Sequence, residues 1–173
     1  MTLPVLLLAF VTLERLFVLW FARRNTQRLL ARGAVEAGRG HYPWLVALHV
    51  LWLASLWWFG PGQPVDVFWL GMFVLLTVAR IWVIATLGLR WTTRIIVLSD
   101  EPLVRSGPYR WLAHPNYLVV IGEIAVLPLV FGLWEIALIF TIANLALLAI
   151  RVREENRALT PARDRAQRQQ PTP

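Results

Sequence analysis

The feature that most constrains this chain is a succession of apolar runs at 3–22, 43–60, 67–89, 116–131 and 134–150. A soluble domain of 173 residues has no interior large enough to hide them, whereas a bilayer takes an apolar helix of roughly 20 residues. The last two runs are shorter than that, and only Gly132-Leu133 separates them, so they fit a tight helical hairpin in a thinned or tilted arrangement. The expected fold is an all-α integral membrane protein of about five transmembrane helices, the last two forming that hairpin. Composition agrees, with 58% hydrophobic residues and ten tryptophans. No basic stretch precedes the first run and no small-residue cleavage site follows it, so it reads as an uncleaved span rather than a signal peptide.

The net charge of +7 is carried by arginine alone. In a soluble protein that balance suggests nucleic acid, but here the arginines gather at the ends of apolar runs, where they act as topology signals and headgroup contacts. Nucleic acid is therefore not expected as a partner; membrane lipids are. Segment 23–42 holds five arginines, the Gly60-Pro61-Gly62-Gln63-Pro64 turn none, segment 90–110 four, Gly132-Leu133 none, and the stretch after Ile150 six. This alternation predicts an outside N-terminus and a cytoplasmic C-terminus. With no cysteine, disulfides, thiolate catalysis and cysteine-ligated metals are excluded, and no metal site is expected.

Residues 1–160 are expected to form one membrane-embedded domain, and 161–173, polar and without apolar periodicity, a disordered tail. Within 90–110, the β-branched stretch 92–98, the turn Ser99-Asp100-Glu101-Pro102 and then 103–107 predict a small hairpin at the membrane surface. Glu14, Arg15, Arg80 and Glu123 lie inside apolar runs. An ionisable group there is costly: for Glu14-Arg15 the favoured reading is a structural pair that pins helix packing, whereas for Glu123 a function is the first hypothesis. For Glu123 the expected partners are Arg151 or Asn144 on the facing helix.

The densest polar stretch is Gly107-Pro108-Tyr109-Arg110-Trp111-Leu112-Ala113-His114-Pro115-Asn116-Tyr117. It enters the fourth run, and Arg151 and Glu155 leave the fifth on the same side, so His114 and Tyr117 should lie near Arg151 and Glu155. Each element has a plainer reading. Proline is favoured at the first helical position, which makes His114 a capping or interfacial residue, and Arg151 with Glu155 can pair within one helix at little energetic gain. Asn144, Arg151 and Glu155 follow one another by seven and four residues and share a helix face.

Gly107-x-Tyr109, His114-Pro115-x-Tyr117, an apolar hairpin, Arg151-x-x-x-Glu155 and Leu159 together resemble the signature of the isoprenylcysteine carboxyl methyltransferase family. In the N-terminal half, Glu14, Arg23-x-Asn25, Arg32-Gly33-Ala34-Val35-Glu36-x-Gly38 and His41-Tyr42-Pro43 resemble a bacterial branch whose members methylate alkylpyrones or alkylresorcinols. The likeness spans about 10–160. It departs where the family has a basic residue before the histidine and a second glutamate, here Ala113 and Asn156, and it lacks the tail of the eukaryotic enzymes, which argues against a prenylated protein as substrate.

The resemblance implies a small cytosolic segment that binds S-adenosylmethionine, releases S-adenosylhomocysteine, and serves a lipophilic acceptor entering from the bilayer. It assigns cofactor binding to Tyr109, His114, Pro115, Tyr117, Arg151 and Glu155, with Asn144 on the same helix face. Arg80 and Arg94, with Arg15, are candidates to steady an anionic acceptor, and Glu123 is a candidate catalytic group. The expected reaction is O-methylation of a carboxylate or of an enolic or phenolic hydroxyl. Phospholipid or amine N-methylation is one alternative; a small transporter or assembly subunit with Glu14, Arg80 and Glu123 along a path is another.

Overall fold

The computed structural model describes residues 2–98 and 104–168. Five helices account for most of it: α1 (Leu3–Ala31), α2 (Tyr42–Phe59), α3 (Val67–Leu87), α4 (Pro115–Val130) and α5 (Trp134–Arg168). Four segments are long and apolar enough to cross a membrane, Leu3–Ala31, Arg39–Phe59, Val67–Arg90 and Trp134–Ala158; α4 is a shorter apolar helix. The chain is an all-α integral membrane protein.

Local chemistry sets the helix ends. Pro43 and Pro115 stand in the first turns of α2 and α4, where a missing N–H costs nothing. Asp66 caps α3, its carboxylate accepting from the Phe68 and Trp69 amides at 2.9 and 3.2 Å. α1 runs past the expected span end at Ala22, because Arg23–Ala31 contains no glycine or proline to stop it; it ends at Ala31, followed by Gly33, whose φ of +85° suits the left-handed residue after a helix. α5 likewise continues as helix to Arg168, beyond the boundary expected at 161.

The α4–α5 hairpin closes at Phe131–Leu133 through amides returning to the Pro128 and Leu129 carbonyls. α4 lies between α3 and α5 and packs closely on both. The core is apolar and central, built from Leu8 and Val11 of α1, Trp52 and Leu56 of α2, Phe73 of α3, and Ile124, Leu127 and Val130 of α4. Large apolar side chains such as Phe17, Trp58, Phe68, Leu75 and Ile139 point outward, as a lipid-facing surface requires.

The predicted surface hairpin is replaced by a different pairing. Strand β2 (Ile95–Val97) pairs antiparallel with β1 (Val35–Ala37), in register Val35 with Val97 and Ala37 with Ile95. Its partner thus comes from the segment after α1, while Val104 to Ser106 is not a strand and Ser99 to Leu103 lie outside the described residues. The physical reason is proximity: Asn25 of α1 donates its amide to the carbonyls of Gly88 and Trp91 at 3.2 and 2.9 Å, which brings the end of α1 alongside the segment that becomes β2.

Inside the bundle, Glu123 is 1% exposed. Its carboxylate accepts from Arg15 at 2.6 Å and from Arg80 Nε at 2.8 Å, with a second bond from Arg80 Nη2. Glu14 completes a charge-balanced quartet, 3.4 Å from Arg15 and 3.8 Å from Arg80. Glu123 therefore pairs with α1 and α3 rather than with Arg151 or Asn144, because six residues separate it from Tyr117, rotating it to a face of α4 away from the α5 contact.

Candidate functional site

At the arginine-rich end of the bundle, the N-terminus of α4 meets the middle of α5 beneath the small sheet. The approach to α4 depends on Gly107. Its φ is +53°, and a Cβ there would lie 2.5 Å from the Thr86 hydroxyl of α3. Gly107→Ala is expected to lower stability by about 1–2 kcal/mol from the left-handed backbone alone, read as a fall in thermal midpoint in detergent. From Gly107 a short 3-10 turn ends at Arg110, and His114 stands immediately before Pro115 and α4.

Here the structure brings together four of the residues singled out in the sequence. The Tyr117 hydroxyl donates to Glu155 Oε2 and accepts from Arg151 Nε, the latter at 2.8 Å. His114 Nδ1 lies 3.7 Å from Glu155 Oε1, and the His114 and Tyr117 rings stack with centroids 5.2 Å apart and planes 16° from parallel. The Arg151 guanidinium also lies over the Tyr117 ring, 5.4 Å from its centroid. Arg151 and Glu155 are thus cross-linked to α4 through one phenol, which fixes the angle between the two helices where they leave the apolar layer.

These residues wall a cavity of about 520 Å3, within the range that holds a small molecule or cofactor. Its charged lining among the described residues is Arg90, Arg94, Arg105 and Arg151 against Glu155. Tyr109 also lines it. Burial, with a smaller push from the Glu155 carboxylate, raises the Tyr109 phenol far above its ordinary range, so it stays protonated and can donate a hydrogen bond. A second, open groove of about 520 Å3 runs between α4 and α5, with walls that include Leu118, Ile121, Leu145 and Leu148 and with Arg153 among its lining. Leu112, Ala113, His114 and Tyr117 border both spaces.

The other expected site residues are engaged differently. Pro115 is buried in the first turn of α4. Arg94 borders the cavity, but its guanidinium is bonded to Glu36 at 3.0 and 3.2 Å and lies over the Tyr42 ring at 4.8 Å. Arg80 and Glu123, expected at the reacting centre, line neither space and neutralise each other inside the bundle. Asn144 is fully buried on α5 and also lines neither. Sequence reasoning missed Arg90, Arg105 and Asn116 as lining residues. The available signal was their position within or beside the arginine-rich stretch that leads into α4.

Residues 69–161 match the isoprenylcysteine carboxyl methyltransferase family. The chain is 34% identical over 167 residues to the uncharacterized protein YpbQ of Bacillus subtilis, a likeness covering 89% of this chain and 95% of that protein. It is 25% identical over 152 residues to an uncharacterized protein of Haemophilus influenzae, covering 84% and 88% of the two. No solved structure matches. An apolar helical bundle with this motif-bearing α4–α5 junction, matched over more than half its length, belongs to the isoprenylcysteine carboxyl methyltransferase family of membrane methyltransferases.

Proposed function

We propose that this chain uses S-adenosylmethionine to O-methylate a lipophilic acceptor that is anionic or weakly acidic, of the alkylpyrone or long-chain acid kind. The observation that carries this reading is the charge of the cavity, whose wall among the described residues holds Arg90, Arg94, Arg105 and Arg151 against Glu155, with Arg94 paired to Glu36. Such a lining attracts carboxylates and other acidic groups, which favours an acidic acceptor and hence O-methylation. The adjoining apolar groove supports a hydrocarbon chain on the acceptor.

When bound, S-adenosylmethionine supplies an electrophilic methyl group. The protein's task is to bind, align and keep water away. Arg105 and Arg151 line the cavity and are suited to carboxylates, with Arg151 or Arg110 a candidate for the charge that family members carry where Ala113 stands. Tyr109 donates a hydrogen bond. Glu155 holds Tyr117 and His114 in a fixed arrangement. An acceptor that arrives ionised needs no strong base, so His114 and Glu155 act as positioning groups. With the arginine-rich ends on the cytoplasmic side, the cavity opens toward the cytoplasm of a bacterial inner membrane.

Titration calorimetry of the detergent-purified chain with S-adenosylhomocysteine is expected to give saturable binding; folded protein that binds none sinks the reading. Membranes containing the chain, supplied with methyl-labelled donor, are expected to yield a labelled methyl ester or ether in the lipid extract. Label found only on amines would move the assignment to N-methylation.

A further inference from the structure

Asn116 lines the cavity, yet its carboxamide oxygen is buried without a hydrogen-bond partner. Leaving a buried acceptor unmade costs more than an ordinary hydrogen bond returns, and such an atom beside a cavity calls for a ligand. Asn116 precedes Glu123 by seven residues, so both share one face of α4, turned toward α1 and α3. Tyr117, one position on, is held by α5. A molecule in the cavity would therefore meet Tyr117, His114 and Glu155 on one side and Asn116 on another.

The cavity wall is rich in donors, with four guanidinium groups and the Tyr109 phenol. Acceptors are few. Among the described residues the side-chain acceptors include the Thr92 hydroxyl, the Glu155 carboxylate, whose Oε2 already accepts from Tyr117, and the Asn116 oxygen, which alone of these is buried with no partner. An ionised acceptor has no hydrogen to give, whereas the amino groups of an S-adenosyl ligand do. Resting on the cofactor reading above, we propose that Asn116 is a cofactor-binding residue whose side-chain oxygen accepts a hydrogen bond from an N–H group of S-adenosylmethionine.

The test is calorimetry with S-adenosylhomocysteine on the full chain in detergent, together with thermal midpoints. Asn116→Leu, similar in shape, is expected to weaken binding about tenfold without lowering the midpoint, because no protein partner is lost. Asn116→Asp keeps an acceptor oxygen and is expected to retain binding. Unchanged affinity in Asn116→Leu while wild type binds overturns this assignment alone. Equal losses in both variants with lowered midpoints would mark a structural role and overturn it too. A wild-type protein that binds nothing removes the cofactor reading and this inference together.

Discussion

Glu123→Ala is expected to destabilise the bundle by about 3–5 kcal/mol, the cost of leaving a buried charge without its partner. The carboxylate is the shared acceptor for Arg15 of α1 and Arg80 of α3. Without it, two guanidinium groups remain in an apolar interior beside the Glu14 carboxylate. The variant should unfold at markedly lower temperature, followed by the fluorescence of the ten tryptophans. The double change Arg80→Leu with Glu123→Leu removes one charge of each sign and leaves Arg15 beside Glu14. Replacing both members of a buried pair is often close to neutral, so the double variant should be more stable than Glu123→Ala. A double variant no better than the single would mean that the quartet is not held together by charge balance.

The largest functional effect is expected at Glu155. Glu155→Ala removes the acceptor of the Tyr117 hydroxyl and the anion beside His114, freeing both rings to leave the stacked arrangement that walls the cavity. Hydrogen bonds to charged groups contribute about 1.5–3 kcal/mol, so S-adenosylhomocysteine should bind roughly 10- to 100-fold more weakly. Glu155→Gln keeps an oxygen in place and should retain part of the affinity. Binding equal to wild type in Glu155→Ala would show that the Tyr117–Glu155 link serves packing alone.

Much of the fold was legible because bilayer physics writes it into composition. Apolar runs, arginine-rich ends and the short connection between α4 and α5 follow from local preferences that any segment of this kind obeys. The motif residues of the junction were legible for a related reason: two segments leaving one helical hairpin on the same side must approach each other. Strand pairing was not. Ile95–Val97 has β-branched residues on any reading, but its partner was decided by the Asn25 amide holding α1 against the Gly88–Trp91 turn, a contact between segments more than 60 residues apart.

The partner of Glu123 was hidden for the same reason. A carboxylate in an apolar helix announces that it must be neutralised, yet three arginines were within reach of the topology. Only the rotation of α4, set by packing on α3 and α5, turned Glu123 toward Arg15 and Arg80 and left Tyr117 to Arg151 and Glu155. The sequence by itself determined a membrane bundle with a polar junction at its arginine-rich end, since hydrophobic length and charge placement are properties of single segments. Tertiary structure alone decided which buried charges hold the helices together and which polar groups line the cavity, because a side chain's direction depends on how its helix is rotated against its neighbours.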